Sequence, residues 1–373
     1  MHGQREWVRC IFGSYPDGGR LMDQFALFGQ ADLRQLPLID VQKDIRYYAA
    51  ASRSVLNAPS ATGMDFWSIN PYVGCAFGCA YCYARYAHRY TIERLGESAP
   101  TSGGDVEESL PPWLAFERRI LVKREAPNVL RRQLATATRL DDLRTQGVVI
   151  GTATDPYQPA ERRFRLTRGV LEVLAAQSNL HVTIITKSPL VTRDADLLMR
   201  IAERSSISVH VSLITVDREL ARRLEPRAPT PEARLRAITR LRSHGIDVAV
   251  NVMPVLPGIT DAPEMIDALV RAVADANASR LGACALRLRR TARDRYLPFI
   301  DAEFPELAAR YRRAYGRSHQ VSERYRDGLR ERFAAVCAKH GVAFSRYYRS
   351  EDDDAELEAL APDQPAQLAL WSG

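Results

Sequence analysis

The 373-residue chain reads as an α/β protein. From Gly147 onward, short β-branched runs alternate with stretches of helical period, and each long connection between runs contains a helix. A third observation is local: three of the six cysteines, Cys75, Cys79 and Cys82, stand within eight residues just after the first apolar run. Strand–helix alternation with right-handed crossovers gives either an open doubly wound sheet or a full or partial barrel, and both place a site at the carboxyl ends of the strands.

In chain order, Phe66–Tyr72 is a candidate first strand and Val148–Ile150 the second, followed by a helix with Leu166, Val170, Val173 and Leu174 on one face. Val182–Ile185 precedes a helix around Leu197, Leu198 and Ile201, and Ile207–Leu213 precedes one with Leu235, Ile238 and Leu241. Val248–Val252 precedes a helix near Met265–Val273, and Ala283–Leu288 is the sixth strand. Residues 1–60 have weak periodicity and are expected as an N-terminal extension to a core over 61–295. Residues 96–112 form a Gly/Ser/Pro-rich insertion. A C-terminal helical region over 296–350 holds two arginine-rich amphipathic helices between Phe304 and His340, and residues 351–373 are an acidic tail.

Apolar residues make up 46% and charged residues 26%, which excludes a disordered chain, and no apolar run is long enough for a bilayer. Met1–Cys10 lacks the apolar stretch of a signal peptide, so a soluble cytoplasmic protein without a membrane partner is expected. Net charge is +7, which favours nucleic acid or another polyanion as partner. The excess is almost all arginine, the lysines being Lys43, Lys123, Lys187 and Lys339. Such a bias also follows from a GC-rich genome.

The cysteine segment runs Asn70-Pro71-Tyr72-Val73-Gly74-Cys75, then Cys79 and Cys82, a C-x3-C-x2-C spacing. Thiolates suit zinc or iron–sulfur clusters. Three ligands leave one iron of a cuboidal cluster open for an amino and carboxylate chelate, whereas a structural zinc site closes its fourth position, here with His88 as the available residue. Gly74 and Gly78 allow the loop to fold tightly.

The spacing, the aromatic residue before the third cysteine and the strand pattern resemble the radical SAM superfamily over about Phe66 to Arg290. The resemblance implies a partial (β/α)6 barrel, a [4Fe–4S] cluster on Cys75, Cys79 and Cys82, and reductive cleavage of S-adenosylmethionine (SAM) to a 5′-deoxyadenosyl radical, with an electron donor such as flavodoxin or ferredoxin. The segments NPYVGCAFGCAYCYAR, GTATDPYQPAER, ITKSPLVTRD and VSLIT…LEPRAPTP are similar to the branch related to spore photoproduct lyase, a DNA-repair enzyme. By that resemblance Tyr81 packs on adenine, while Thr154, Lys187 and Ser212 contact SAM. Thr152 stands where the lyase has its hydrogen-donating cysteine. A hydroxyl O–H does not readily return hydrogen to a carbon radical, so the reaction is expected to differ.

Strand alternation points His210 and Ser212 inward from Ile207–Leu213. His210 is then placed to contact substrate or transfer a proton, or to be a core histidine. A lysine at position 187, in a chain that otherwise uses arginine, implies a need for a compact ammonium. On the sixth strand the same rule sends Arg287 and Arg289 to the interior or mouth, where they could clamp a phosphate or carboxylate, and Cys284 to the outer, helix-packed side.

Both ends carry short peptides, Gln367–Trp371 and Gln24–Phe28, with a weaker Gln35–Ile39, that resemble sliding-clamp-binding motifs. The leading expectation is radical SAM chemistry on a nucleic-acid base or lesion. Chemistry on a peptide or small metabolite, and a zinc-stabilised nucleic-acid-binding module, are the alternatives.

Overall fold

A computed structural model of the chain describes residues 36–62, 64–85, 110–135 and 137–345. Its main sheet, in spatial order, contains β12 (Ala343–Ser345), β11 (Arg280–Ala285), β10 (Asp247–Val255), β9 (Ser206–Ser212), β8 (His181–Thr186), β7 (Val148–Ile150), β4 (Trp67–Ile69) and β3 (Leu56–Asn57). Every neighbouring pair from β4 to β12 is parallel, and β3 is an antiparallel edge. Helices occupy the crossovers, and the architecture is the expected partial barrel. A smaller sheet orders β1 (Leu38–Gln42), β2 (Ile45–Ala49), β6 (Arg119–Val122) and β5 (Tyr72–Val73).

The six expected strands are β4 and β7 to β11, with two differences. The run Phe66–Tyr72 divides at Asn70-Pro71 into β4 and β5. Pro71 has no N–H for a ladder, and the chain crosses there from one sheet to the other. The last strand is displaced toward the amino end, from Ala283–Leu288 to Arg280–Ala285. Its outer neighbour β12 pairs only with Arg280–Gly282. Just past Ala285, Leu286 N–H still donates to Val255 of β10, and Leu288 N–H then donates to His319 outside the sheet.

The apolar core explains the strand choices. In β8 exposure alternates strictly, with Val182, Ile184 and Thr186 buried, while β10 is buried along most of its length. Val209, Val250, Ile184 and Leu281 are fully shielded. Local capping sets the helix starts: the Asp217 carboxylate accepts from Glu219 and Leu220 N–H at 2.9 and 3.0 Å to open helix Arg218–Leu224, and the Thr230 hydroxyl opens Pro231–Ser243. The two arginine-rich C-terminal helices are Pro305–Tyr315 and Glu323–Lys339. Part of the expected extension is built into the body, since β2 pairs with β6 beside the cysteine segment. Among the described residues no helix is long and apolar enough to cross a membrane.

Candidate active site

The carboxyl ends of β7 to β11 open on a cavity of about 970 Å³, counting its mouth, which is walled by Cys75, Cys79 and Cys82 on one side. The cysteine segment is the connection that leaves β5, and its shape is fixed by backbone. Gly74 has φ +86°, and a Cβ there would lie 2.8 Å from the Phe116 carbonyl; Gly78 has φ +66°, and its Cβ would meet the Glu117 carboxylate at 2.9 Å. Cys75 N–H donates to the Phe116 carbonyl at 2.9 Å. Arg85, with no exposed side chain, donates to the Cys79 carbonyl and to Glu117, both at 2.6 Å.

Burial pushes all three thiols up, Cys75 to about 12 and Cys79 well above the ordinary thiol value. Protons would therefore leave these sulfurs only when a cation takes their place. Among the described residues no three His, Cys, Asp or Glu side chains close around a single ion. Donor type and room therefore decide whether a metal group fits here. Three soft sulfur donors on one wall, with an open cavity before them, fit a group with one free metal corner.

The opposite edge of this wall is a polar lattice. The Thr154 hydroxyl donates to the Gly74 carbonyl at 2.5 Å and accepts from Gln158 at 2.9 Å. Gln158 also donates to Gly74 and accepts from Ala76 N–H, both at 3.0 Å. Thr154 lines the cavity as expected, but its proton serves the cysteine segment, which leaves it only an acceptor for a ligand. Asp155 receives the Thr186 hydroxyl and Lys187 N–H at 2.7 Å and Tyr157 N–H at 2.9 Å. Burial raises the Asp155 carboxyl, and these donors oppose that shift.

Lys187 lies in the cavity wall with its side chain 16% exposed, its Nζ 5.7 Å from the centre of the Tyr81 ring and 3.9 Å from Glu225. Burial alone would raise the Glu225 carboxyl, but Arg234 and Lys187 override it and hold Glu225 below the usual carboxylate range. Ser212, at the end of β9, completes this side.

Across the cavity stand Met253, Pro254, Cys284, Leu286 and Arg287. Arg287 lines the cavity. Cys284 is a correction: it faces the cavity, not the helices. In the displaced β11 it shares a face with Arg280, whose guanidinium reaches inward to the Ser208 hydroxyl at 3.0 Å and His210 Nε2 at 3.4 Å. The alternation rule was sound, but the strand it was applied to ended earlier than its apolar pattern.

His210 is the second correction. It points into the barrel, 2% exposed, yet it does not line the cavity and sits a layer below Ser212. Burial first, then the Arg280 cation, pushes its imidazole down to about 4. Its link to the cavity runs through Asn251, which hydrogen-bonds it and lines the cavity. Thr152 does line the cavity, with its hydroxyl accepting from Asn70 at 3.1 Å. Sequence reasoning missed Gln158, Asp155 and Glu225 as site residues, although all lie inside the quoted segments GTATDPYQPAER and LEPRAPTP. The signal was their fixed distance from residues already singled out. His88 and the terminal peptides Gln24–Phe28 and Gln367–Trp371 lie outside the described residues.

A parallel-stranded partial barrel with three cysteines, a lysine and hydroxyls at its carboxyl end defines a class of cofactor-dependent α/β enzymes. Residues 69–270 match the radical SAM superfamily. An uncharacterised protein of Mycobacterium tuberculosis (strain ATCC 25618 / H37Rv) is 36% identical over 329 residues, 88% of each chain. One of Methanocaldococcus jannaschii is 28% identical over 199 residues, 53% of this chain and 63% of that one. A double mutant of spore photoproduct lyase with bound AdoMet and dinucleoside spore photoproduct is similar in fold, with TM-score 0.57, 14% identity and coverage of 88% of this chain and 94% of that chain. The chain belongs to the radical SAM superfamily, enzymes whose cofactors are a [4Fe–4S] cluster and SAM, and its fold is that of the branch related to spore photoproduct lyase.

Proposed function

We propose that Cys75, Cys79 and Cys82 hold the [4Fe–4S] cluster and that Tyr81, Thr154, Lys187 and Ser212 bind SAM, in an enzyme that acts on a nucleic-acid base or DNA lesion. The observation that carries the reading is the convergence of the three thiols, Lys187, Ser212 and Arg287 on one cavity. When bound, the cluster and SAM together supply an electron and a 5′-deoxyadenosyl radical able to take hydrogen from a substrate carbon. The residues of the chain bind and orient. Lys187 offers a desolvated ammonium to a carboxylate, the Tyr81 ring offers an apolar face to adenine, and the Thr154 and Ser212 oxygens serve the ribose or the amino group. The apolar far wall keeps water from the reacting carbon.

Arg287 lines the cavity, and a guanidinium there suits a phosphate of a nucleotide strand. The net charge of +7 and the fold of the lyase branch support the same substrate class. The electron donor is of the flavodoxin or ferredoxin type. The peptide Gln367–Trp371 docks on a sliding clamp, and calorimetry with residues 364–373 against a clamp checks that point.

The decisive test is anaerobic purification, metal and sulfide analysis, and incubation with dithionite, SAM and deuterated oligonucleotides. A brown protein that releases 5′-deoxyadenosine carrying deuterium is expected. Stoichiometric zinc without acid-labile sulfide would overturn the cofactor assignment. Label-free deoxyadenosine with every oligonucleotide, and no salt-dependent binding to single or double strands, would overturn the substrate class.

A further inference from the structure

The stretch 224–231, which links helix Arg218–Leu224 to helix Pro231–Ser243, lies outside the sheet and is tied to the cysteine segment by backbone. Ala80 N–H donates to the Leu224 carbonyl at 2.9 Å, and Arg227 N–H donates to the Phe77 carbonyl at 3.2 Å. From this stretch Glu225, 2% exposed, turns its carboxylate inward among three groups from three different elements. The Tyr81 hydroxyl donates to Oε1, the Arg234 guanidinium donates to Oε2, and Lys187 Nζ lies 3.9 Å from Oε1. Arg234, itself 1% exposed, also donates to the Ser212 carbonyl at 3.0 Å and to the Pro229 carbonyl at 2.9 Å.

A connection between two helices needs no buried carboxylate, and placing one there costs several kcal/mol unless its partners are well aligned. Here the partners are Tyr81, Lys187 and, through Arg234, the end of β9 that carries Ser212. One anion therefore joins the ring and the ammonium assigned to SAM and, through Arg234, the strand end of a third SAM-binding residue. Without it, the Lys187 and Arg234 cations would lose the anion that lies between them, and the Tyr81 hydroxyl would lose the acceptor it donates to.

We propose that Glu225 is a positioning residue of the SAM site, setting the Tyr81 ring and the Lys187 ammonium at the spacing that one ligand can bridge. The inference rests on the reading that these residues bind SAM. Glu225 does not itself line the cavity, so it acts through its partners.

The test uses the full chain, reconstituted anaerobically with its cluster, as wild type, Glu225→Gln, Tyr81→Phe and the double variant. Iron and sulfide per chain are measured first. The change that SAM produces in the electron paramagnetic resonance signal of the reduced cluster then gives the dissociation constant. Glu225→Gln should keep iron and sulfide at the wild-type level while weakening SAM binding about tenfold, or about 1.4 kcal/mol. Tyr81→Phe should weaken it by a smaller factor, roughly threefold, the cost of one hydrogen bond. The double variant should fall short of the product of the two effects, because both changes remove the same bond. KM for SAM should rise more than kcat falls.

Wild-type SAM affinity in Glu225→Gln overturns the inference, as does loss of iron in proportion to lost affinity, which would mean that Glu225 only supports the cysteine segment. If Glu225→Gln does not fold, Tyr81→Phe decides alone: an unchanged dissociation constant overturns the inference, and a raised one at full iron content supports it. A wild type that does not bind SAM overturns the cofactor reading itself, an outcome separate from normal wild-type binding with an indifferent Glu225→Gln.

Discussion

The two walls of the cavity are built on different principles. The wall formed by the cysteine segment and the ends of β7 to β9 is held by side chains that bond to backbone: Thr154 and Gln158 to Gly74, Asp155 to Lys187 and Tyr157, Arg234 to Ser212, and Arg85 to Cys79. The wall at β10 and β11 is largely apolar, and only Leu286 and Arg287 of it follow the last residue of regular strand. A lattice of buried polar groups tolerates little change, because removing one partner leaves another unsatisfied. The difference teaches where each task resides. Under the proposed function, the polar wall is the one that holds the cofactors and the apolar wall the one that meets the substrate.

Changes in the polar wall should have the largest effects. Cys79→Ala should abolish iron and sulfide binding, brown colour and 5′-deoxyadenosine release together; a variant that still cleaves SAM would remove Cys79 from the ligand set. Lys187→Ala should retain iron but weaken SAM binding about ten- to hundredfold, in line with loss of a buried charge-assisted contact, as read by equilibrium titration. Loss of the cluster in that variant would make Lys187 a structural residue and blur the contrast between the walls.

On the other wall, Arg287→Ala should weaken oligonucleotide binding and lower the slope of log affinity against log salt by about 0.9, the signature of one lost phosphate contact. An unchanged slope would take Arg287 off the substrate path. A separate effect, on folding rather than on binding, belongs to the layer below both walls. The His210 imidazole is lowered from 6.5 to about 4 by burial and by Arg280, so the unfolded chain binds the extra proton between those two values. Its contribution to stability is present above pH 6.5 and is lost as pH falls toward 4, at most about 3 kcal/mol. Thermal midpoints of the metal-free protein should fall more steeply over that window in the wild type than in His210→Gln.

Much of this was legible before any coordinates. The C-x3-C-x2-C spacing identified the cysteine loop, since its three thiols are close in the chain. The alternation in Ile207–Leu213 correctly turned His210 and Ser212 inward, and the rarity of lysine singled out Lys187. What failed was depth and length. Alternation gives a face but not a level, so it could not tell that Ser212 reaches the cavity while His210 stops beneath it. An apolar pattern also continued past Ala285 after pairing with β12 had ended, and that sent Cys284 to the wrong side.

The sequence by itself determined the strand–helix alternation, the clustering of the three cysteines and the carboxyl-end location of the site, because each depends on short-range spacing and side-chain period. Only the tertiary structure decided that Glu225 meets Tyr81 across 144 positions, that Arg234 reaches Ser212, and that Cys284 and Arg287 share the cavity with the cysteine loop. In an arginine-rich chain a buried Glu–Arg pair looks in sequence like any solvated pair. What distinguishes it is desolvation, which exists only once the segments have packed.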